Sequence, residues 1–487
     1  MPKPFDSYFK TMPITCHTKY IKPGGTFVAI KGVKQNGETY IPKALLLGAK
    51  KIVIQNRSII SKNILAHIKK YNATLERVAN TRLALAQLSA HASDYAHKKL
   101  KLIGITGTKG KTSTSFILEH ILQKAGYKTG LISTVYNKIN NNTIKSSLTT
   151  EQPDYLHHFF SQCVKQNIEF VIMEIAAQAL SLHRVADLQF DSIIFTNFSQ
   201  EHGEFYNNLD DYFAAKYKIF EQLKTDNPIF TNSVFINNDD AWGKKILQKN
   251  PRFKSFGVTK PADISAQIID AKKPLRIRIT HNTSLKKSKT YNIHCPAIFG
   301  AFNTYNILAA FSVAQSLGIS IKECVQHIQS FTGTPGRLEL HKLRNGARCF
   351  IDYAHNPSSY KAVLSTLRGM SDDLILVFGA GGERDQEKRP IMGDIASKIA
   401  DKIILTADNP RSEDPKQIIE DIIAGIKPSH RHKVTIELDR KIAIQKACEI
   451  ADNHSVISIL GKGPDEYQIT GTIKSTFNEK EILKKYK

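Results

Sequence analysis

The sequence predicts an α/β protein of three domains, and three observations support this fold class. Short apolar segments alternate with segments of helical periodicity along most of the chain. A glycine-rich loop joins an apolar segment at Leu102 to an amphipathic segment that runs to Leu122. Gly and Pro crowd together near residue 333, and the alternation resumes beyond them. We therefore expect a small α/β domain at 1–98, a central domain with a parallel sheet at 99–332, and a third α/β domain at 333–487.

The composition is strongly basic. The 487 residues include 68 Lys and Arg against 44 Asp and Glu, which gives a formal net charge of +24. Such a balance is found in nucleic-acid-binding proteins. The lysines are scattered, however, and form no long basic block, so we favour a solvated lysine-rich surface and expect no nucleic-acid partner. A basic cleft that attracts a small polyanion fits the same charge.

The cysteines and the apolar runs indicate the compartment. The six cysteines stand far apart without a CxxC pair, which argues against a zinc site or a disulfide framework and suits a reducing environment. No apolar run approaches the ~18 residues that a membrane span needs, and the first residues contain no signal-peptide core. We expect a cytoplasmic protein without a membrane span, and a monomer.

The first domain shows no catalytic cluster. We expect a strand at 27–30 after a turn at Pro23-Gly24, and a helix from Ile41 that stops at Gly48. Asn80 or Thr81 could cap a further helix that runs to Ala96. This pattern predicts a module whose role is to hold a ligand.

The central domain opens with a glycine loop, Thr106-Gly-Thr-Lys-Gly-Lys-Thr112. Gly107 and Gly110 allow close approaches that a Cβ would prevent, so the loop amides and the helix N-terminus can form an anion-binding site. Lys111 would reach the outer phosphates of a nucleotide, and the Thr112 hydroxyl would hold Mg²⁺. The alternative is a glycine turn beside a surface lysine. The order of strand, loop, Lys-Thr and helix favours a P-loop ATPase-like domain that binds ATP.

Three further polar residues of this domain are candidates for the same site. Glu174 ends an apolar strand predicted at 170–174, where a carboxylate is placed to meet the Mg²⁺ of a nucleotide; an acid that caps a loop is the alternative. Taken singly, His202 and Lys216 are more typical of ordinary polar positions than of ligands.

The third domain carries four polar or glycine clusters, each directly after an apolar strand. They lie at 352–357, 379–385, 408–411 and 461–466. The carboxyl ends of parallel strands meet at one edge of a sheet, so these clusters predict a ligand crevice in a Rossmann-like domain. Each cluster could singly be a turn former, but four sets rich in Arg and Asp favour a binding site.

Taken together, these motifs resemble those of the Mur ligases of peptidoglycan synthesis. The resemblance rests on the glycine loop, Glu174, Asn303, Pro335-Gly-Arg337, Asp352-Tyr-Ala-His355-Asn-Pro357 and Asp408-Asn-Pro-Arg411. It implies a ligase that transfers the γ-phosphate of ATP to a substrate carboxylate and joins the resulting acyl phosphate to an amine. The implied cofactors are ATP and Mg²⁺, with a CO₂-modified (carbamylated) lysine at Lys216. The implied partners are UDP-MurNAc-dipeptide, held by domain 1–98, and a diamino acid, held by domain 333–487.

The resemblance also implies the role of each site residue. The catalytic residues would be Lys111, Glu174, His202 and Lys216, and the metal ligands Thr112, Glu174, His202 and carbamylated Lys216. ATP would be bound by Gly107, Thr108, Lys109, Gly110, Lys111, Thr112, Ser113, Asn303, Arg337, Asp352 and His355. The UDP-substrate would be bound by Thr18, Thr149, Thr150 and Arg184, and the amino acid by Arg384, Asp408, Asn409, Pro410, Arg411, Gly461 and Asp465.

Within the family pattern, Asp-Asn-Pro-Arg indicates meso-diaminopimelate as the amino acid. The Arg411 guanidinium suits its second carboxylate, which L-lysine lacks. The chain departs from the family at His17-Thr18-Lys19, at Lys109, at Ala176-Ala177-Gln178, at Glu201–Tyr206 and at Asp465, beside which Glu466 could compensate. The alternatives are a related amide ligase with another substrate, such as L-lysine, and a non-catalytic ATP-binding relative.

Overall fold

A computed structural model describes residues 10–32, 35–201, 203, 205–224, 233–282 and 288–487. The described chain divides into two compact units, Met1–Ile264 with Leu308–Cys324, and Ser265–Ile307 with Val325–Lys487. Strands and helices alternate in both units, which confirms the predicted α/β class. The boundaries of the three predicted domains stay a prediction.

The first unit begins with a four-stranded parallel sheet in the order β1-β2-β3-β4. Its elements are β1 (Met12–Thr15), β2 (Ile21–Val28), α1 (Ile41–Leu46), β3 (Lys51–Gln55), α2 (Lys62–Lys70), β4 (Thr74–Val78) and α3 (Thr81–Ala92). Asn80 caps α3 by accepting hydrogen bonds from the amides of Arg82 and Leu83. The expected turn at Pro23-Gly24 is instead an irregular stretch inside β2, where the pairing with β1 shifts register and Gly24 adopts a φ of +81°. Helix α3 ends at Ala92, four residues earlier than expected, because the chain turns left-handed at Asp94 and Tyr95.

A larger sheet follows in the same unit, and consecutive strands of it lie in the order β12-β11-β10-β5-β9-β6-β7-β8. The strands are β5 (Lys101–Thr106), β6 (Thr129–Ile132), β7 (Tyr136–Ile139), β8 (Asn142–Lys145), β9 (Phe170–Glu174), β10 (Ser192–Phe195), β11 (Val234–Asn237) and β12 (Lys254–Gly257). The helices are α4 (Lys111–Lys124), α5 (Pro153–Lys165), α6 (Ala177–Ser181), α7 (Leu209–Tyr217) and α8 (Ala241–Lys249).

The position of β5 in this sheet determines where the site forms. Strand β5 lies between β9 and β10, and all three run parallel. Strand β6 pairs with the other side of β9, also in parallel. The carboxyl ends of β6, β9, β5 and β10 therefore lie side by side at one edge, where loops of α/β sheets bind ligands.

The second unit contains a six-stranded sheet in the order β16-β17-β21-β18-β19-β20. Its strands are β16 (Glu339–Lys342), β17 (Arg348–Asp352), β18 (Leu374–Phe378), β19 (Lys402–Leu405), β20 (Val434–Ile436) and β21 (Val456–Leu460). Strand β16 is antiparallel, and the other five run parallel. Side chains of β18 alternate between two buried apolar clusters, with Leu374 and Leu376 on one face and Ile375 and Val377 on the other. A sheet buried on both faces is typical of Rossmann-like folds.

The remaining elements belong to the second unit or span the boundary between the two units. Strands β13 (Ile264–Asp270), β14 (Arg276–Asn282) and β15 (Ser288–His294) follow one another, with β14 and β15 paired antiparallel, and β22 (Tyr467–Thr470) pairs with β23 (Ile473–Thr476) as a hairpin. The helices are α9 (Asn303–Ser316), α10 (Ile321–Gln329), α11 (Pro357–Arg368), α12 (Lys388–Ile399), α13 (Pro415–Ala424), α14 (Arg440–Glu449) and α15 (Glu479–Leu483).

Candidate active site

The glycine loop joins β5 to α4 at the edge of the first unit's larger sheet. Gly107 has a φ of +140° and Gly110 a φ of +87°, both in the region that favours glycine. A Cβ on Gly107 would lie 2.0 Å from Thr196 Oγ1, so a side chain has no room there. The buried Ser113 lies in the first turn of α4. The sequence prediction of a strand, a glycine loop and a helix is thus confirmed.

The loop is held in place by the residues that follow β10. The Asn197 side chain accepts a hydrogen bond from the Lys109 amide at 2.9 Å and donates one to the Lys109 carbonyl at 3.0 Å. Thr196 Oγ1 donates to the same carbonyl at 2.6 Å, and the Thr108 amide donates to the Asn197 carbonyl at 2.8 Å. The loop conformation is therefore held by the two residues that follow the neighbouring strand β10.

Two lysines meet on one carbonyl of the loop. Lys111 Nζ donates to the carbonyl oxygens of Gly107 at 2.8 Å and Thr108 at 3.0 Å. Lys216, on α7, donates to the same Gly107 oxygen at 2.9 Å, and its ammonium lies 4.7 Å from the centre of the Tyr212 ring. Only 1% of Lys216 is exposed. Burial, together with the positive charge of Lys111, lowers the pKa of Lys216 well below its ordinary value.

The carboxylate of Glu174 lies at the end of β9 and is fully buried. It accepts hydrogen bonds from the Thr112 hydroxyl at 2.9 Å, from the Thr134 hydroxyl at 3.0 Å and from the Thr134 amide at 3.0 Å. A hard cation such as Mg²⁺ prefers oxygen ligands. The hydroxyl of Thr112 and the carboxylate of Glu174 supply such ligands at one point, so these two residues fit the ion. His202 lies outside the described residues.

Three of the four residues predicted to bind the UDP-substrate lie close to Glu174. The hydroxyl oxygens of Thr149 and Thr134 lie 3.1 Å apart, within hydrogen-bonding distance, and Thr150 Oγ1 donates to the Glu174 carbonyl at 2.8 Å. Arg184 donates to the Thr150 carbonyl at 3.0 Å, so Thr149, Thr150 and Arg184 lie together beside the loop after β9. Thr18 belongs to a short 3-10 turn after β1, and none of the hydrogen bonds described here connects it to that group.

In the second unit, the residues predicted to bind ATP include Arg337, Asp352 and His355, with Asp352 at the end of β17. Its carboxylate accepts hydrogen bonds from the amides of Leu338 and Ala354, both at 2.7 Å. Burial raises the pKa of this carboxyl, and Arg337 and the two amides oppose that shift. The Arg337 guanidinium lies 4.7 Å from the centre of the Tyr353 ring, and His355 Nδ1 lies 2.8 Å from the Tyr353 carbonyl.

Asn303, at the N-terminus of α9, is bound within its own turn. Its amide nitrogen donates to the Phe299 carbonyl at 2.7 Å, and its oxygen accepts from Asn306 at 2.6 Å.

The residues predicted for the amino acid gather at the carboxyl edge of the six-stranded sheet. Asp408 packs against Gly461, since a Cβ there would lie 2.4 Å from Asp408 Oδ2. Asn409 and Pro410 are buried, and Arg411 adopts a left-handed φ of 54°.

Arg411 and the next clusters complete this edge. Arg411 Nη1 donates to the Gly382 carbonyl at 2.5 Å, which places its guanidinium beside the 379–385 cluster that contains the exposed Arg384. Burial raises the pKa of Asp465, against the lowering effect of Lys462. The four clusters therefore lie at the same edge of the sheet, at the carboxyl ends of four neighbouring parallel strands.

Several residues of the site carry no signal in the sequence. Thr134 contacts Glu174, and Thr196 and Asn197 hold the glycine loop. Lys462 contacts the Asn409 side chain at 3.1 Å. Each belongs to a loop whose partner lies on a strand that is not its neighbour in sequence. The strand order would have indicated them, but the sequence alone does not give that order.

The glycine loop on a parallel sheet, with an acid at the end of the adjacent strand, defines a P-loop-type nucleotide-binding protein. Residues 105–314 match the model of the Mur ligase middle domain, and residues 336–463 match that of the Mur ligase glutamate ligase domain. The chain therefore belongs to the Mur ligase family. The family resemblance inferred from the motifs is confirmed.

Full-length relatives and a solved structure agree with this assignment. A UDP-N-acetylmuramoyl-L-alanyl-D-glutamate--2,6-diaminopimelate ligase of Clostridium botulinum is 36% identical over 96% of this chain and 93% of its own length. A protein of the same name from Aquifex aeolicus is 37% identical over 97% of this chain and 92% of its own length. A solved structure with that name is 25% identical, with a TM-score of 0.64 over 98% of this chain and 94% of its own. The predicted fold class is thereby confirmed.

Among the helices of the described ranges, none is long and apolar enough to cross a bilayer.

Proposed function

We propose that this chain is an ATP-dependent ligase that joins 2,6-diaminopimelate to UDP-MurNAc-L-Ala-D-Glu. The names of the relatives support the reaction, because each of the two aligns with more than nine-tenths of the chain. The observation that carries the proposal is the group formed by the glycine loop, Lys111, Thr112 and Glu174. It provides backbone amides, an ammonium and oxygen ligands at one edge of the sheet, because the Thr112 hydroxyl donates to the Glu174 carboxylate at the end of β9.

The nucleotide phosphates lie, in this proposal, against the amides of residues 107–113. Lys111 exchanges its two carbonyl partners for the β- and γ-phosphates, because an ammonium gains more from an anionic phosphate than from neutral carbonyls. Mg²⁺ would be held by Thr112 and Glu174, with His202 as a further ligand, and it would supply neutralisation of charge on the phosphates. Asn303, Arg337, Asp352 and His355 would bind the adenosine end.

Lys216 is the proposed site of carbamylation. Its amine adds to CO₂, a C–N bond forms and a proton is lost, so the side chain changes from a cation into an anion. The reaction removes one of the two positive charges that contact the Gly107 carbonyl, and it would provide oxygen ligands beside the glycine loop. A carbonyl resonance of isotope-labelled CO₂ bound to the wild type but absent from Lys216→Ala would support this; equal spectra would contradict it.

The ligation has two steps. A carboxylate oxygen of the D-glutamate residue attacks the γ-phosphorus, the bond to the β-phosphate oxygen breaks and ADP leaves. The amine of diaminopimelate then attacks the acyl carbon, phosphate leaves with the bonding pair and the amine loses a proton. The protein contributes mainly position and positive charge. Thr18, Thr149, Thr150 and Arg184 would hold the UDP-substrate on the side of Glu174.

The distal end of diaminopimelate carries an ammonium and a carboxylate. Arg411, with Asn409, would hold the carboxylate, and Asp408 and Asp465 would face the ammonium. Arg384, Pro410 and Gly461 complete the wall of this crevice. L-Lysine lacks the second carboxylate, so it would leave Arg411 without its partner in a half-buried site.

The direct test is ADP release in the presence of ATP, Mg²⁺ and UDP-MurNAc-L-Ala-D-Glu. We expect release with meso-diaminopimelate and little with L-lysine or without an amino acid. Lys111→Ala should abolish the release, whereas Lys124→Ala, at the exposed far end of the same helix, is the matched control. Release that needs no amino acid, or equal turnover in Lys111→Ala, would contradict the proposal. A cytoplasmic location, which cell fractionation would check, fits the use of ATP.

A further inference from the structure

Lys462 is a buried lysine at the carboxyl edge of the six-stranded sheet of the second unit. It directly follows Gly461 after β21 and has no exposed surface. Its ammonium donates to Asn409 Oδ1 at 3.1 Å and to the Tyr467 carbonyl at 2.9 Å, and it lies 3.7 Å from Asp408 Oδ1. Burying an ammonium is costly unless it is well bound. Here one hydrogen bond goes to Asn409 in the loop 408–411, and the other goes to Tyr467 at the start of β22.

These contacts determine how the Asn409 side chain is oriented. Its oxygen accepts two hydrogen bonds, from Lys462 and from the Ile469 amide at 2.9 Å. If the amide group turned over, its NH₂ would face an ammonium and an N–H, which are both donors. The oxygen is therefore directed inward, and Nδ2 is the group that Asn409 can offer to a ligand. No described residue accepts a hydrogen bond from Nδ2.

The hairpin of β22 and β23 continues the same support. Gln468 Nε2 donates to the Asp408 carbonyl at 2.8 Å. The Arg411 amide donates to the Ile469 carbonyl at 3.2 Å, and the Gly471 amide donates to the Arg411 carbonyl at 2.7 Å. Hydrogen bonds with the hairpin thus hold the loop 408–411 on one side. Lys462 adds a charged hydrogen bond to Asn409 within that loop.

We propose that Lys462 is a positioning residue for amino-acid selection. By fixing Asn409, it presents a hydrogen-bond donor beside the Arg411 guanidinium, and this pair suits a second carboxylate on the incoming amino acid. Lys462 itself touches no substrate. The inference rests on the proposed function and deepens it, because it assigns the preference for a dicarboxylic diamino acid to a buried charge outside the Asp-Asn-Pro-Arg motif.

The test compares Lys462→Met with Lys441→Met, a matched control at an exposed lysine of α14. In Lys462→Met the KM for meso-diaminopimelate should rise about ten- to a hundredfold, because one hydrogen bond to a carboxylate is lost. The KM for ATP should stay unchanged, and the ratio of kcat/KM for meso-diaminopimelate over L-lysine should fall. Lys441→Met should resemble the wild type. Lys462→Gln, which removes the charge with less change in polarity, is the second variant if Lys462→Met does not fold, and the same constants decide.

A double-variant cycle separates positioning from general damage. If Lys462 acts through Asn409, then Lys462→Met in an Asn409→Ala background should raise the KM for meso-diaminopimelate no further. Additive effects, an unchanged KM, or equal increases for ATP and meso-diaminopimelate would overturn the inference. A wild type without amino-acid-dependent ADP release would instead reject the proposed function.

Discussion

A Cβ at Gly107 tests the geometry of the glycine loop most severely. In Gly107→Ala the methyl group would lie 2.0 Å from Thr196 Oγ1 and 2.9 Å from the Asn197 carbonyl oxygen. The φ of +140° adds backbone strain of about 1–3 kcal/mol. Overpacking against Thr196 costs a further ~1–3 kcal/mol, because that side chain is itself bonded to the Lys109 carbonyl. We expect lower stability and a loop displaced from its phosphate-binding form.

The second variant in this prediction isolates the steric contact. Thr196→Ala removes Oγ1 and its hydrogen bonds, which costs about 1–3 kcal/mol on its own. In the double variant the methyl group meets no hydroxyl, so the combined loss should be smaller than the two single losses together by about 1–3 kcal/mol.

The chain provides its own probe for this measurement. Trp242 is the single tryptophan, and its ring centre lies 5.0 Å from that of Phe198, close to the loop anchor after β10. Its fluorescence during urea unfolding reports on this unit, and titration with a non-hydrolysable ATP analogue reports on the loop. Strict additivity of the losses, or wild-type affinity for the analogue in Gly107→Ala, would refute the steric reasoning.

Three further predictions concern charged groups. Glu174→Gln should lower the affinity for the Mg²⁺ complex of ATP by about tenfold or more, because it removes an anionic ligand. Isothermal titration with ATP in the presence and absence of Mg²⁺ measures this affinity. An unchanged effect of Mg²⁺ on ATP binding would contradict the prediction. Arg411→Ala should raise the KM for meso-diaminopimelate by at least ~tenfold and leave that for ATP unchanged; equal changes would reject the carboxylate contact. Burial alone would raise the pKa of Glu339, but a hydrogen bond from His341, an ion pair with Lys480 and the Gly336 amide lower it to about 2 from an ordinary 4.5. The ionised Glu339 therefore stabilises the fold above pH ~4.5, and this contribution disappears as the pH falls towards ~2. The free energy of unfolding of Glu339→Gln should be lower than that of the wild type by about 1–3 kcal/mol at pH 7 and equal to it near pH 2. A difference between the two proteins that stays constant with pH would contradict this.

The sequence predicted those parts of the site that are local in the chain. The strand, glycine loop and helix around Lys111 are consecutive, so their residue types and spacing are sufficient. Glu174 was found because a carboxylate at the end of an apolar strand is a recognisable pattern. The four clusters of the second unit were found in the same way.

The supporting residues depend on which strands are neighbours. Strand β9 lies between β5 and β6, and β10 lies on the other side of β5, although these strands are far apart in sequence. That order brings Thr134 to Glu174 and Thr196 to the glycine loop. Lys462 belongs to the predicted cluster 461–466, but only the tertiary structure shows that it is buried and bonded to Asn409, because a lysine in a Gly-Lys-Gly sequence is more often solvated.

The most direct measurement of the central claim follows one oxygen atom. UDP-MurNAc-L-Ala-D-Glu is prepared with heavy oxygen in the carboxylate to be joined, and the ligation is run with ATP and meso-diaminopimelate. Transfer of the γ-phosphoryl group to that carboxylate predicts that one labelled oxygen appears in the released phosphate. Released phosphate that contains no heavy oxygen would contradict the transfer of the γ-phosphoryl group to that carboxylate.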